Sequence, residues 1–450
     1  EIMSHRNKTW QMVWRGFSLI VMAAMLVGAS VGSTVPTQAA TINFAAKPAP
    51  IDPDVYIALE KNGKADVLVI LEQQADLSGA EAIQTKRLKG DYVHQALTSV
   101  AERTQGGLKA FLNSKGVNYR AYWIQNMIRV TVDLSLAGEI AHIPGIKYIE
   151  YYHEPYLDVI GHDLGPAYGR EYGPLEVKET ATNTVRELAG WKESTVVDPE
   201  AIEWNISRVN ADDVWGIGIN GTGAVVGDLD SGVQWDHPAL INQYRPQIAG
   251  APTRHDYNWF DGLTGSATPV DYDGHGTHTM GTIAGDDGGS NQIGMAPGAK
   301  WIACAGIGSP YVDPFGCFEF FMAPTKLDGS DPRPDLAPHV ISNSWSSAGT
   351  DFHGAIQALR AAGIFFSKSA GNTGPACSTI TNPGQWPEVT AAAAFSISDT
   401  IASFSSRGPI YMDYEAIMKP DLAAPGVNVR SSYPDNTYVQ MSGTSMACPH

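Results

Sequence analysis

From residue 204 to the end of the chain, short apolar runs alternate with helix-like segments. AVV at 224–226, GMA at 294–296, VI at 340–341 and GIFF at 363–366 are interleaved with segments such as 277–284 and 352–362. Short, nearly continuous apolar runs are the pattern of strands buried on both faces. Strand and helix in repetition predict a parallel sheet with helices on both sides, an α/β domain. In such sheets functional groups gather beyond the carboxyl ends of the strands, so the residues that close the apolar runs are the ones to search.

A smaller unit precedes it. ADVLVILE at 65–72 reads as a strand. The charged stretch 86–115 places Val93, Leu97, Val100, Leu108 and Leu112 near helical spacing, with Gly116 as a stop. Residues 119–132 alternate like one strand, 136–142 predict a short helix and 146–152 another strand, which together make a compact α+β domain. Residues 158–200 are Gly-rich and charged without a sustained period, a linker open to proteolysis. At the start, Glu1 and Ile2 precede Met3, where translation is expected to begin. A basic region (His5, Arg6, Lys8, Arg15), an uncharged apolar stretch at 17–31 and the small-x-small site Thr37-Gln38-Ala39 predict a cleaved secretory signal peptide over 1–39. No later stretch is apolar enough to span a bilayer, so no membrane span is expected after that cleavage.

Composition narrows the partners. The chain has 30 Lys plus Arg against 47 Asp plus Glu, a net charge of −17, and 201–450 alone holds 11 basic and 24 acidic residues. Such a surface repels phosphate backbones, so no nucleic-acid partner is expected. The four cysteines contain no CxxC pair and are too few for a disulfide framework.

Three signatures follow one another in the order Asp, His, Ser. AVVGDLD ends an apolar run at Asp230 and is followed by Ser231-Gly232; DYDGHGTHTMG sets His275 between two glycines at the start of a helical segment; MSGTSMACPH sets Ser445 before small residues suited to a packed helix start. A serine hydroxyl becomes a nucleophile when an imidazole takes its proton, and a buried carboxylate orients that imidazole and stabilises its charge. A fourth signature, Ser369-Ala370-Gly371-Asn372, follows GIFF and brings a side-chain amide to the end of a strand. With the Ser445 backbone N–H, Asn372 is the candidate donor for an oxyanion.

DSG, HGTH, SAGN and GTSMA in this order resemble the subtilisin-type serine peptidases, the subtilases, and ISNSW, ASFSSRGP, KPDLAAPG and WIAC resemble their bacillopeptidase F-like branch. The resemblance covers about 204–450, and 65–158 is similar to the inhibitor-type propeptide ahead of such enzymes. It implies a subtilisin-like α/β catalytic domain over 204–450, a propeptide over 41–158 and a processing region over 159–203. It implies a secreted, self-processing serine endopeptidase in which Asp230 orients the imidazole, His275 is the base, Ser445 the nucleophile and Asn372 the oxyanion donor. Ser344, Trp345 and Ser346 would form the strand along which an extended polypeptide pairs, with Ser369, Ala370 and Gly371 as the facing pocket wall. Its own propeptide would act as inhibitor, and the mature N-terminus is expected between Tyr156 and Glu203. The chain stops five residues past Ser445, which implies a catalytic domain continuing beyond His450. The competing reading is a secreted binding protein on an inactive subtilase scaffold.

Several features need weighing beside these. Asp228 shares the strand parity of Asp230 but lacks the following Ser-Gly. His278, three residues after His275, has no third ligand at metal spacing and reads as a packed structural histidine. GIGING at 216–221 precedes its strand instead of following one, so it is a loop and not a dinucleotide fingerprint. The chemistry requires no cofactor. DYDG at 271–274 opens like a calcium loop but has Thr282 at the twelfth position, and His237-Pro238-Ala239 stands where many subtilases carry a calcium-binding His-Pro-Asp, so no clear motif supports structural calcium. Cys448 reads as a small buried side chain, while Cys304, Cys317 and Cys377 allow one bridge of undetermined pairing. Lys368 occupies a place where subtilases are usually apolar, and either lines the pocket or reaches solvent.

Overall fold

A computed structural model describes residues 47–157, 202–245, 254–308, 312–412 and 414–450. The expected signal peptide and the linker up to residue 201 lie outside them. Among the described residues no helix is long and apolar enough to cross a membrane.

The N-terminal lobe opens on a helix the sequence reading missed, Pro53–Asn62. Asp52 caps it by accepting the Asp54 N–H, Pro53 sits in its first turn and Gly63 closes it at φ 69°. Strand β1 (Ala65–Leu71) lies inside a four-stranded antiparallel sheet of order β2-β3-β1-β4, with β2 at Tyr119–Tyr122, β3 at Met127–Val132 and β4 at Ile146–Tyr151. Val67, Val69 and Leu71 enter the lobe's own core with Leu108, Leu112 and Ile140. Leu68 and Ile70 enter a second core shared with Phe315, Phe318 and Trp345. The unbroken apolar run at 67–71 thus serves two faces, one closed by the lobe's helices and one by the larger domain.

Two sequence expectations are corrected here. The single helix over 86–115 is two, Lys86–Thr104 and Gly106–Ser114, because the Gln105 side chain turns inward to donate to the Tyr122 carbonyl (2.7 Å) and Asn126 Oδ1 (2.9 Å). The single strand over 119–132 is the β2–β3 hairpin. Its turn contains no Gly or Pro and is fixed from outside: Asn126 Nδ2 donates to the Gln73 carbonyl and to Thr104 Oγ1, and the N–H groups of Trp123 and Ile124 donate to Glu319 of the larger domain.

The larger domain is built on a seven-stranded sheet, parallel at every pairing. In chain order its strands are β5 (Val225–Asp230), β6 (Trp259–Asp261), β7 (Lys300–Ala305), β8 (Val340–Asn343), β9 (Phe365–Ser369) and β10 (Thr390–Phe395). A hairpin of β11 (Ile410–Met412) and β12 (Glu415–Ile417) precedes the last sheet strand, β13 (Leu422–Pro425), and a second hairpin of β14 (Val429–Tyr433) and β15 (Thr437–Met441) follows. The spatial order is β13-β10-β9-β8-β5-β7-β6. The expected run at 294–296 is not a strand. Its N–H groups donate to the carbonyls of Gly285, Thr282 and Ile283, so the helix before it, and no neighbouring strand, takes up its backbone. Cys304 on β7 bridges Cys317 on the helix Pro314–Met322, Cys377 is exposed, and Cys448 is buried and unbridged.

The lobe seats on the helices Pro314–Met322 and His353–Ala361. Around the shared apolar core, Tyr122 Oη donates to Asp313 (2.7 Å), Arg129 to the Val312 carbonyl (2.7 Å), Lys86 to the Ala337 carbonyl (2.9 Å) and the Asp351 N–H to Glu150 (2.7 Å). Past β4 the chain runs along residues 346–350. Tyr156 exchanges both backbone hydrogen bonds with Ser346 (2.8 and 2.9 Å), and the His153 carbonyl accepts from Ser347 and Thr350.

Candidate active site

Strand β5 ends at Asp230 between β8 and β7. Leu229 enters the core shared with the lobe, so Asp228 and Asp230 face the opposite side, where the fully buried helix His275–Ala284 packs. The two carboxyls then divide: Asp230 Oδ1 meets His275 Nδ1 at 2.7 Å, and Asp228 Oδ2 accepts from Thr279 Oγ1 at 2.9 Å, one turn further on. Burial, and then the nearby Asp230 charge, raise the Asp228 pKa well above its ordinary value.

The glycines flanking His275 are steric requirements. Gly274 stands at φ 101°, with a Cβ there 2.4 Å from the Tyr433 ring, and a Cβ on Gly276 would lie 2.0 Å from the Gly232 carbonyl oxygen. Asp271 supplies the alignment. Its Oδ1 accepts from Ser231 Oγ (2.7 Å) and from the Asp273 and Gly274 N–H groups, while its Oδ2 accepts the N–H and hydroxyl of Thr277. Ser231 Oγ in turn accepts the Gly276 N–H at 2.9 Å. One carboxylate therefore ties the residue after Asp230 to the helix that begins at His275. These five donors engage both oxygens of Asp271, and the buried Ala239 offers no side-chain oxygen. Among the described residues no group of three His, Cys, Asp or Glu is arranged to hold a metal. His278 Nε2 meets the carbonyls of Val429 (3.0 Å) and Val439 (3.2 Å) across the β14–β15 hairpin, a contact that packs the helix against it.

Burial pushes the His275 imidazolium down, but the charge and hydrogen bond of Asp230, with smaller help from Asp273 and Asp228, outweigh it and raise the pKa to about 9. His275 Nε2 is buried and makes no hydrogen bond. Ser445, at the start of the helix Thr444–Ala447, turns its hydroxyl instead to the Ser344 carbonyl at 3.2 Å, and Ser344 Oγ donates back to the Ser445 carbonyl at 3.1 Å. The structure joins Asp230 to His275 and Ser445 to Ser344, and the link from Ser445 to His275 is open. Asn372 is fixed by a residue the sequence reading did not single out: Thr444 donates its N–H (2.8 Å) and hydroxyl (2.9 Å) to Asn372 Oδ1, which leaves the amide nitrogen as the donor end. The Thr of GTS was the available signal.

The expected substrate strand follows β8 directly. Ser344 is engaged with Ser445, the Trp345 indole is buried in the shared core, and Ser346 pairs with Tyr156. Ser369 closes β9, and Gly371 donates its N–H to Thr444 Oγ1 (3.1 Å). Thr381 links the two sides, donating its N–H to the Ala370 carbonyl (3.1 Å) and pairing its hydroxyl with Ser346 Oγ (2.8 Å). Lys368 does not reach solvent. It is fully buried, and its ammonium donates to the carbonyl (2.6 Å) and hydroxyl (2.7 Å) of Ser369.

A parallel sheet carrying a buried Asp–His pair, a serine at a helix start and an oriented amide defines a serine-hydrolase type of site. Residues 221–450 match the subtilase family. The chain is 33% identical to bacillopeptidase F of Bacillus subtilis over 413 residues, 87% of this chain and 26% of that protein. It is 30% identical to subtilisin BL of Lederbergia lenta over 56% of this chain and 81% of that protein, and 32% identical to a thermostable alkaline protease of Halalkalibacterium halodurans over 58% and 63%. The chain belongs to the subtilase family of serine endopeptidases. It spans about a quarter of the length of the bacillopeptidase F it matches.

Proposed function

We propose that this chain is the precursor of a secreted endopeptidase that cuts extended polypeptides with Asp230, His275 and Ser445. The observation that carries the reading is the buried 2.7 Å contact between Asp230 and His275, on a helix that packs against the one carrying Ser445. Rotation of the Ser445 hydroxyl from the Ser344 carbonyl to His275 Nε2 completes the relay. His275 then takes the proton as Ser445 Oγ bonds to the scissile carbonyl carbon, and the oxyanion is met by the Asn372 amide and the Ser445 N–H. Collapse expels the amine, which takes the proton from His275. Water, deprotonated by the same imidazole, then releases the acyl group. A fluorophosphonate probe on the full-length protein is expected to label Ser445 in wild type and not in His275→Ala; a wild-type protein that takes up no label would favour the inactive-scaffold reading, and labelling that survives the substitution would require a base other than His275.

Residues 47–157 fit the role of inhibitory propeptide, because the tail from His153 to Tyr156 occupies the strand where substrate would pair. Secretion rests on the sequence signal at 1–39. N-terminal sequencing of the matured enzyme is expected to place its start between Tyr156 and Glu203, and a start before Ile146 would contradict this division.

Replacing Asn372 by Ala should lower kcat by about 10²- to 10³-fold with little change in KM, the size of effect measured for the corresponding donor in a subtilisin. A proportionate rise in KM at constant kcat would instead mark Asn372 as a ground-state binding group.

The pH dependence follows from His275. Only neutral imidazole accepts the serine proton, so kcat/KM should rise with pH, with its midpoint displaced from the ordinary value of about 6.5 toward the about 9 of the Asp230-paired state. Stability runs the other way. A histidine pKa raised by folding stabilises fully below the unfolded value, and that contribution is lost as pH rises through about 9. Activity and thermal unfolding followed on one preparation from pH 5 to 10 would separate the trends; an acidic optimum would require a different base.

A further inference from the structure

The Tyr156–Ser346 pairing fixes a register. In an antiparallel pair both hydrogen bonds recur two residues on, so a peptide seated as Tyr156 is, and continued by two residues, brings its second following residue opposite Ser344. The Ser344 carbonyl receives Ser445 Oγ. That peptide position therefore has its carbonyl beside the nucleophile, and its side chain selects the bond to be cut.

The face on which this side chain emerges is already occupied. Directly opposed residues of an antiparallel pair place their side chains on one face with Cβ atoms about 5 Å apart, and diagonal neighbours on that face stand about 7 Å apart. Ser344 and Ser346, two residues apart on their strand, share the face. Ser344 Oγ is engaged with the Ser445 carbonyl (3.1 Å), and Ser346 Oγ pairs with Thr381 Oγ1 (2.8 Å) to make a bar of two hydroxyls that runs toward the opposite wall.

The bar is held at both ends. The Thr381 N–H donates to the Ala370 carbonyl (3.1 Å), the Ser347 N–H to the Asn382 carbonyl (3.0 Å) and Asn382 Nδ2 to the Thr350 carbonyl (2.7 Å), so residues 381 and 382 are stitched to both walls. Thr381 also fills the space beside Gly371. That glycine stands at φ 104°, and a Cβ on it would lie 2.5 Å from both Thr381 Cγ2 and Thr381 Oγ1. Non-bonded heavy atoms stop at about 3.5 to 4 Å, which leaves room for roughly one or two of them between a peptide Cβ and the bar.

We infer that Thr381, bridged to Ser346, is the floor of the pocket and restricts the residue immediately before the scissile bond to small side chains, alanine and serine above all. The inference rests on the endopeptidase reading above and adds its substrate class. Leucine or phenylalanine would have to break the bar and displace a side chain fastened to both walls, and forcing extra volume into such a place is unfavourable.

The test uses matured full-length enzyme and peptides that differ only at that position. For wild type, kcat/KM with Ala is expected to exceed that with Phe by about tenfold or more, on the scale at which a fixed pocket discriminates by volume. Thr381→Ala, which removes the methyl and the hydroxyl from the floor, should raise the rate with Phe and cut the Ala-to-Phe ratio by about tenfold. Thr381→Val keeps the bulk without the hydroxyl and should retain the preference for Ala. A merely structural role would move all the peptides together and leave the wild-type ratio in both variants. Should Thr381→Ala not fold, the cleavage profile of wild type on a mixed peptide library decides the matter alone: enrichment of Ala and Ser before the cut upholds the inference, and any other profile overturns it. Fluorophosphonate labelling of the same preparation distinguishes the two failures. A labelled enzyme that cuts after large residues as readily as after Ala refutes only the role of Thr381, and an unlabelled, inactive protein refutes the endopeptidase reading.

Discussion

Purified Ser445→Ala protein is expected to show no peptide hydrolysis and to remain one chain that still carries residues 47–157. The substitution removes one oxygen from a site whose other parts do not depend on it. The Asp230–His275 contact, the Thr444–Asn372 clasp and the Tyr156–Ser346 pairing all leave Ser445 Oγ aside. The fold should therefore survive, and kcat should fall by about 10⁶-fold, the scale measured when the nucleophile of a subtilisin is removed. If the same serine cuts the precursor, the uncut chain accumulates. Intact-mass measurement of wild type and variant expressed side by side reads both consequences. A matured N-terminus in the variant would assign processing to another protease.

Asp230→Asn should cost about 10⁴-fold in kcat, by analogy with the same change in a serine protease of another fold, while Asp228→Asn should cost less than about tenfold. The contrast follows from charge. Asp230 accepts the Nδ1–H of His275 and so leaves Nε2 free to take a proton; an amide nitrogen turned toward Nδ1 would favour the opposite tautomer, with Nε2 already protonated. Burial and the Asp230 charge push the Asp228 pKa up, and its one hydrogen bond to this helix, from Thr279 Oγ1, can equally be accepted by an asparagine oxygen. Initial rates of the two variants on one chromogenic peptide decide the assignment. Comparable losses would mean that the strand end, not one carboxylate, had been disturbed.

The parts legible in the sequence were those fixed by local chemistry. Asp230, His275, Asn372 and Ser445 announce themselves because each stands in a string whose glycines and small residues serve close packing, as Gly274 and Gly276 do around His275. The helix 53–62 was legible too, through Asp52-Pro53 and Gly63, but its weakly amphipathic sequence drew no attention. What the sequence hides is contact between distant segments. The 123–126 turn needs no Gly or Pro because Glu319, nearly two hundred residues away, holds its N–H groups, and the 86–115 helix breaks because Gln105 has partners across the lobe. The pairing of Cys304 with Cys317 depends on β7 lying beside the following helix, which spacing alone did not decide.

The contact between Tyr156 and Ser346 joins two parts of one covalent chain, so while the chain is whole its occupancy does not depend on how much protein is present. Linkage within one chain replaces bulk concentration by an effective concentration set by the length and stiffness of the connection. A single cut beyond the tail converts the same two hydrogen bonds and the shared apolar core into an ordinary bimolecular complex governed by mass action. For a precursor of the kind proposed above, the cleaved pair would stay associated where it is concentrated and separate on spreading into a larger volume, so dilution itself would become the signal that the enzyme has left the place where it was made.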